Sequence, residues 1–418
     1  MLPEFVVLLL SIVSVSMCVP IRDPSGDCLF AECELNSTQI IALYGYIPEE
    51  HICRTPDGYH LTLHRITTNS TPPFSKGPTL LLLHGLLDSS STFLLNGRNS
   101  SLAFLLADQG FDIWLGNSRG NRYSLGHDFL SPRDVRFWNW SWDALARYDL
   151  PSMIDCVSKL SGAGSISLVG HSQGTMQTFA AMASPDFPER IGSKLLSFVA
   201  LAPVAYLSDI SSELLRALAL IRAEELVELL GKGSFLPSTD MMRKLLPAAC
   251  KADPAACQSM ACLISGCRGE HSEHVDVARW PVYAAHYPSG TSVLNMVQLA
   301  QGMRAPGRFA RFDYGSAEAN LRAYNSTVPP EYPLALSASL PVLLLSGTLD
   351  ALADPQDVLL LYQALGPPLG ANLSWRTLDG WDHLDFIWAG KLAPGLALLI
   401  RQHVLSAAAA AAADAASH

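Results

Sequence analysis

Two pentapeptides of the 418-residue chain share the outline G-x-S-x-G: GNSRG, Gly116 to Gly120, and GHSQG, Gly170 to Gly174. A serine thrown out by a tight turn between a strand and a helix can act as a nucleophile. Small flanking residues let strand and helix approach, and the helix N-terminus supplies positive potential. GHSQG is preceded by SISLV and followed by the helix formers TMQTFAAMA. GNSRG follows a strand-like run but continues NRYSLGHDFLSPRD, which reads as loop. Ser172 is therefore the candidate nucleophile, and Ser118 is not. A serine hydroxyl needs a base, and the base needs an orienting carboxylate. The chain order serine, acid, histidine points to Asp350, just past the run PVLLLSG, with Asp354 and Asp357 as rivals. It points next to His383 in DGWDHLDFIW, with His403 and His418 as rivals. The charge developing on an attacked carbonyl needs two backbone N–H donors. Gln173, after the serine, and Leu86, in LLLLHGLLDSS, are placed to supply them. His84 and His171 read as residues that shape their turns. GEHSEH, Gly269 to His274, lacks a metal-site spacing and reads as a solvated segment. No metal or cofactor is required.

These residues need a frame. The apolar runs PTLLLLHG, FDIWLG, SISLVG, LLSFVALAP and PVLLLSG predict strands buried on both faces. HLTLHRI alternates like an exposed strand. The helical stretches SLAFLLADQG, LARYDLPSMIDCVSKL and TMQTFAAMAS lie between strands, so the fold class is α/β, with a mostly parallel sheet covered on both faces. The alternation stops between Leu201 and Leu340. Leucine spacing from Asp209 to Leu230, and the stretch Asp240 to Cys267, predict a helical insertion above the strand ends. The expected organisation is a leader at 1–18, a core of 19–204 plus 327–405, a helical cap and lid at 205–326, and a low-complexity tail at 406–418. The tail, SAAAAAAADAASH, reads as a frayed helix or a disordered end rather than a membrane span.

The opening MLPEFVVLLLSIVSVSMC reads as a signal peptide, although Glu4 stands where a basic residue is usual. Its apolar part is shorter than the ~20 residues needed to span a bilayer. Nine cysteines agree with export, and cleavage after Cys18 leaves an even number. In a chain this long they read as local staples. Six sequons, at Asn36, Asn69, Asn99, Asn139, Asn325 and Asn372, point the same way. Asn69 is disfavoured by Pro72, and Asn139, among Trp138, Trp140 and Trp142, is expected to be buried. A net charge of −10 without a Lys/Arg run argues against nucleic-acid binding.

Together, HGLLDSS, DIWLGNSRGN, FWNWSWDALARYDLPSMID, VGHSQGT, GTSVLNM, DALADPQDV and HLDFIW resemble the acid lipases, the gastric, lysosomal and insect relatives. The resemblance implies an α/β-hydrolase core with a helical cap and lid. It implies hydrolysis of triacylglycerols or sterol esters at a lipid–water interface, by a secreted or lysosomal protein without an integral membrane span. Its nucleophile falls on Ser172, its acid on Asp350, its base on His383 and its oxyanion donors on Leu86 and Gln173. Its cap disulfide falls on Cys250 and Cys257. At the second pentapeptide it carries G-N-x-R-G, so Ser118 is incidental and Arg119 is expected to brace loops at the strand ends. Two other readings stand beside this one: an esterase for smaller or other lipid esters, and a non-catalytic lipid-binding protein on the same scaffold.

Overall fold

The computed structural model describes residues 30–67, 77–220, 227, 231–265, 274–334 and 340–416. The expected leader, Cys18, Cys28, Asn69, Cys267, His271 and His418 lie outside the described residues. The strands are β1 (Ile47–Arg54), β2 (Tyr59–Thr67), β3 (Thr79–Leu83), β4 (Asp112–Gly116), β5 (Gly126–His127), β6 (Ile166–His171), β7 (Leu195–Leu201), β8 (Ser234–Phe235), β9 (Thr291–Ser292), β10 (Val342–Gly347) and β11 (Leu373–Leu378). The main sheet runs β1-β2-β4-β3-β6-β7-β10-β11, with β5 against β2. Its strands from β4 to β11 are parallel, while β2 is antiparallel to β1 and β4. The five apolar runs become β3, β4, β6, β7 and β10. Every residue of β3, β6 and β10 is buried, as strands covered on both faces require.

Helices cross between the strands: α1 (Leu102–Asp108), α2 (Leu150–Ser161) and α3 (Gln173–Met182). Between β7 and β10 the chain is mainly helical. It includes α4 (Asp240–Ala252), α5 (Pro254–Ser265) and α6 (Val293–Met303). A disulfide between Cys250 and Cys257 joins α4 to α5. A separate apolar cluster, Phe235, Val293, Met296, Val297 and Ala300, packs on Leu87 in the loop after β3. Beyond β10 follow α7 (Pro355–Leu369) and the terminal α8 (Ala393–Ala416). By length and composition α8 could cross a membrane. Yet Leu396, Ala397, Ile400 and Val404 are fully buried, and α8 packs against α1 and β7. Its opposite face, with Leu398 and Leu405, is exposed, as is its alanine-rich end, so α8 packs on the core by one face only.

Three expectations differ from the structure. First, β2 is not exposed. It lies between β1 and β4, and its polar residues have partners: buried His64 meets Ser90 Oγ at 2.8 Å, and Thr62 Oγ1 donates to the Tyr123 carbonyl at 2.7 Å. Second, Cys53 is no local staple. It pairs with Cys156 across 103 residues, tying β1 to α2. Third, Asn139 is exposed although Trp138 and Trp140 beside it are buried, because the three side chains alternate between core and solvent. Asn36, Asn99, Asn325 and Asn372 are exposed as well.

The strand ends are held by Arg119, which follows β4. Its Nε donates to Asp149 Oδ1 at 2.7 Å, and its Nη1 and Nη2 reach the two Asp57 oxygens at 2.6 and 2.9 Å. Its backbone N–H donates to Asp149 Oδ2 at 2.9 Å, and its guanidinium lies 3.9 Å over the Tyr59 ring. One planar fork thus fixes the β1–β2 turn, the loop after β4 and the entry to α2. Burial alone would favour the neutral guanidine, but Asp149 and Asp57 outweigh it and hold the group firmly charged. Replacing Arg119 with Met leaves Asp149 buried and unpaired, a change expected to cost about 3–5 kcal/mol. The loss is measurable by denaturant unfolding. Arg119→Lys should recover little of it, since an ammonium cannot fork to both carboxylates.

Candidate active site

The elbow at Ser172 follows from what its neighbours lack. β6 ends at His171, Ser172 takes φ 53° and ψ −118°, and α3 begins at once with Gln173. Such a backbone is strained for any residue with a side chain. It persists because both ends of the turn are packed backbone to backbone. A Cβ on Gly174 would lie 2.5 Å from the Leu83 carbonyl oxygen, and one on Gly170 would lie 2.9 Å from the Gly174 carbonyl. The Ser172 N–H donates to the Leu201 carbonyl at 3.1 Å, pinning the turn to the end of β7.

Asp350 lies beyond the end of β10 and is 2% exposed. Its Oδ1 accepts N–H bonds from Leu352 at 2.9 Å and Ala353 at 2.8 Å. Both its oxygens face His383 Nδ1, at 2.9 and 3.0 Å. Burial alone would raise this carboxyl, but His383 and the two backbone donors hold it below the usual range. An ionised acid in this place fixes the imidazole's tautomer, leaving Nε2 as the basic nitrogen. The rival acids have other tasks. Asp354 caps α7 through the Gln356 N–H at 3.0 Å, and Asp357 accepts the Asp209 N–H at 2.9 Å. The rival His403 sits on α8 with its Nε2 3.4 Å from the Pro341 carbonyl.

His383 reaches the elbow through a contact that sequence reasoning missed. His171 Nε2 donates to the His383 carbonyl at 3.0 Å, and the two rings are 4.9 Å apart. Burial, aided by the neighbouring His383, pushes His171 down to about 3, so its ring is neutral. His171 thereby ties the Ser172 turn to the His383 loop, a role more specific than shaping its own turn. Its only signal in the sequence was its place beside the serine. Ser172 Oγ and the His383 ring are not hydrogen-bonded to each other in this structure, and such bonds commonly tighten only when substrate binds.

Leu86 and Gln173 flank the same turn. A Cβ on Gly85 would lie 3.1 Å from Ser172 Cβ, so the loop after β3 runs directly beside the elbow. The Gln173 N–H begins a helix and has no intrahelical acceptor. Neither it nor the Leu86 N–H is used by another backbone group among the described residues. The loop is supported from below by GNSRG. Asn117 Oδ1 accepts the Ser90 N–H and its Nδ2 donates to the Thr62 carbonyl, both at 2.9 Å. The Ser118 N–H donates to His84 Nε2 at 3.1 Å, so His84 Nδ1 carries the proton and donates to the Gly85 carbonyl at 2.8 Å. The second pentapeptide is thus a joint beneath the loop that holds Leu86. Of GEHSEH, His274 is not simply solvated: its Nδ1 is 3.0 Å from the buried Asp385, two residues after His383. A strained serine at a helix N-terminus, a buried Asp–His pair and two spare N–H groups can together perform nucleophilic acyl transfer.

Known proteins resemble this chain in sequence and in fold. Residues 37–97 match a family described as a partial alpha/beta-hydrolase lipase region, and residues 78–223 match the alpha/beta hydrolase fold. The chain is 38% identical over 360 residues to gastric triacylglycerol lipase of Rattus norvegicus, covering 86% of this chain and 88% of the relative. It is 36% identical over 362 residues to lysosomal acid lipase/cholesteryl ester hydrolase of Homo sapiens, covering 85% and 87%. It is 37% identical over 374 residues to lipase lipl-1 of Caenorhabditis elegans, covering 87% and 89%. The solved structure of a lipase candidate from Sulfolobus solfataricus shares the fold at a TM-score of 0.56 with 14% identity, covering 87% of this chain and 95% of that one. The chain belongs to the gastric and lysosomal acid lipase family, ester hydrolases of the α/β-hydrolase fold.

Proposed function

We propose that this chain hydrolyses the carboxylic ester bonds of neutral lipids, triacylglycerols and sterol esters, with Ser172 as nucleophile, His383 as base and Asp350 as its orienting acid. The observation that carries the reading is the buried Asp350–His383 pair tied by His171 to the strained Ser172 turn. His383 Nε2 takes the Ser172 proton as Oγ bonds to the ester carbonyl carbon. The Leu86 and Gln173 N–H groups receive the oxyanion. The ester C–O bond breaks, the leaving alcohol takes the proton from His383, and the acyl group stays on Ser172. Water then repeats the sequence, giving its proton to His383 and releasing the fatty acid.

The helical segment 205–326 serves in this reading as cap and lid over the core of 19–204 and 327–405. Its apolar cluster meets Leu87 next to the oxyanion loop, where an acyl chain would lie. The substrate is then taken from a lipid–water interface. Secretion or delivery to lysosomes, directed by the leader 1–18, fits the disulfides and the exposed asparagines at 36, 99, 325 and 372, which would carry glycans.

Ser172→Ala is expected to lower turnover of long-chain triacylglycerol by about 10⁴-fold or more, and Asp350→Asn by about 10⁴-fold. Ser118→Ala should remain near wild type. Titrimetric release of fatty acid from triacylglycerol and cholesteryl ester emulsions distinguishes these outcomes, and normal turnover by Ser172→Ala would overturn the assignment. A second expectation concerns pH. Burial pushes the Asp88 carboxyl up to about 7, only partly opposed by the Ser89 N–H and Thr92. Unfolded, it titrates near ~4. Between those values the folded chain keeps a proton that the unfolded chain has released. Its contribution to stability is therefore complete below about pH 4 and is lost as pH rises toward about 7. Thermal unfolding across that range should show Asp88→Asn gaining on the wild type as pH rises. A constant difference would refute the shift.

A further inference from the structure

Helix α6 is amphipathic in an unusual sense, because both its faces are buried. Val293, Met296, Val297 and Ala300 form the apolar face. Ser292, Asn295 and Gln298, at three-residue intervals, form a polar seam against the core. Ser292 Oγ bonds the Trp140 carbonyl, and Gln298 Nε2 donates to Asp143 Oδ1 at 2.7 Å. Between them, Asn295 Nδ2 donates to the side-chain Oε1 of Gln173 at 2.8 Å and to Thr291 Oγ1 at 3.0 Å. Asn295 is 1% exposed, and its own Oδ1 has no hydrogen-bond partner. A buried, half-satisfied amide is a costly choice that an apolar side chain of similar size would avoid. Its useful half is therefore the N–H that grips Gln173.

Gln173 is the first residue of α3, and its backbone N–H is one of the two donors proposed for the oxyanion. Such a donor works only if it points at the place where charge develops, within a few tenths of an ångström. At a helix's first residue no intrahelical bond fixes that direction. We propose that Asn295 is a positioning residue for catalysis: by holding the Gln173 side chain it fixes the first turn of α3 and aims the Gln173 N–H. This rests on the reading of Gln173 as an oxyanion donor. It makes α6, a helix of the segment between β7 and β10, part of the catalytic frame as well as of the substrate's surroundings.

A double-mutant cycle tests it. Asn295→Ala and Gln173→Ala each break the same side-chain bond while keeping the Gln173 backbone N–H. Hydrolysis of p-nitrophenyl butyrate in solution gives kcat and KM without an interface. Each single variant is expected to lose about tenfold in kcat with little change in KM, a fraction of the loss from deleting an oxyanion donor outright. The double variant should be no worse than either single one. Multiplying losses, or unchanged kcat in either single variant, would overturn the proposal. If Asn295→Ala does not fold, Gln173→Met breaks the bond from the core side, and an undiminished kcat there overturns it equally. Ser172→Ala in the same assay separates the two levels: activity surviving that change would sink the site assignment itself, whereas multiplying losses in an otherwise Ser172-dependent enzyme sink only the role of Asn295.

Discussion

The site depends on one close approach of backbone to backbone. Helix α3 can start directly behind Ser172 only because Gly174 offers no Cβ to the Leu83 carbonyl, 2.5 Å from where that carbon would be. That contact brings three strand ends together: β3 with the loop that carries Leu86, β6 with the Ser172 turn, and β7, whose last carbonyl accepts the Ser172 N–H. The φ of 53° at Ser172 is a consequence, since the chain must turn sharply where strand and helix nearly touch. Hydrophobic burial elsewhere in the sheet supports that strain.

Around this contact, polar groups do the aligning. Asp350 is oriented by two N–H groups before it orients His383. His171 ties His383 to the Ser172 turn, His84 ties the Leu86 loop to the loop after β4, and Arg119 ties that loop to two others. Each of these side chains is buried and each reaches a segment of the chain other than its own. Removing any of them leaves another polar group stranded away from water, which is more costly than the bond itself is worth.

What the sequence disclosed follows from the range of the forces involved. β3, β4, β6, β7 and β10 were legible because a strand covered on both faces must be apolar throughout, and the candidates Ser172 and Asp350 because each stands where such a run ends, whereas His383 rested on chain order alone. β1 and β11 were not, since IPEEHICR and LSWRTL mix charge with apolar residues, as strands with a solvated side do. The alternation of β2 suggested exposure, but its polar positions are matched by Ser90 and Tyr123, far along the chain, which no local pattern announces. The Cys53–Cys156 bond is hidden for the same reason. At Asn139 the bulky neighbours misled: alternation set its exposure, not the company it keeps.

The seam between α6 and the core also bears on how such proteins can be recombined. A segment inserted between two strands looks like a module that could be exchanged between relatives to alter substrate choice. Here the exchange would cut the Asn295–Gln173, Gln298–Asp143 and Ser292–Trp140 bonds, together with the bond from the Ser289 N–H to the Leu87 carbonyl. A chimaera built at the visible junctions would carry a foreign helix against its own elbow. The workable module boundary runs through these pairs, so grafting α6 means grafting the residues it grips.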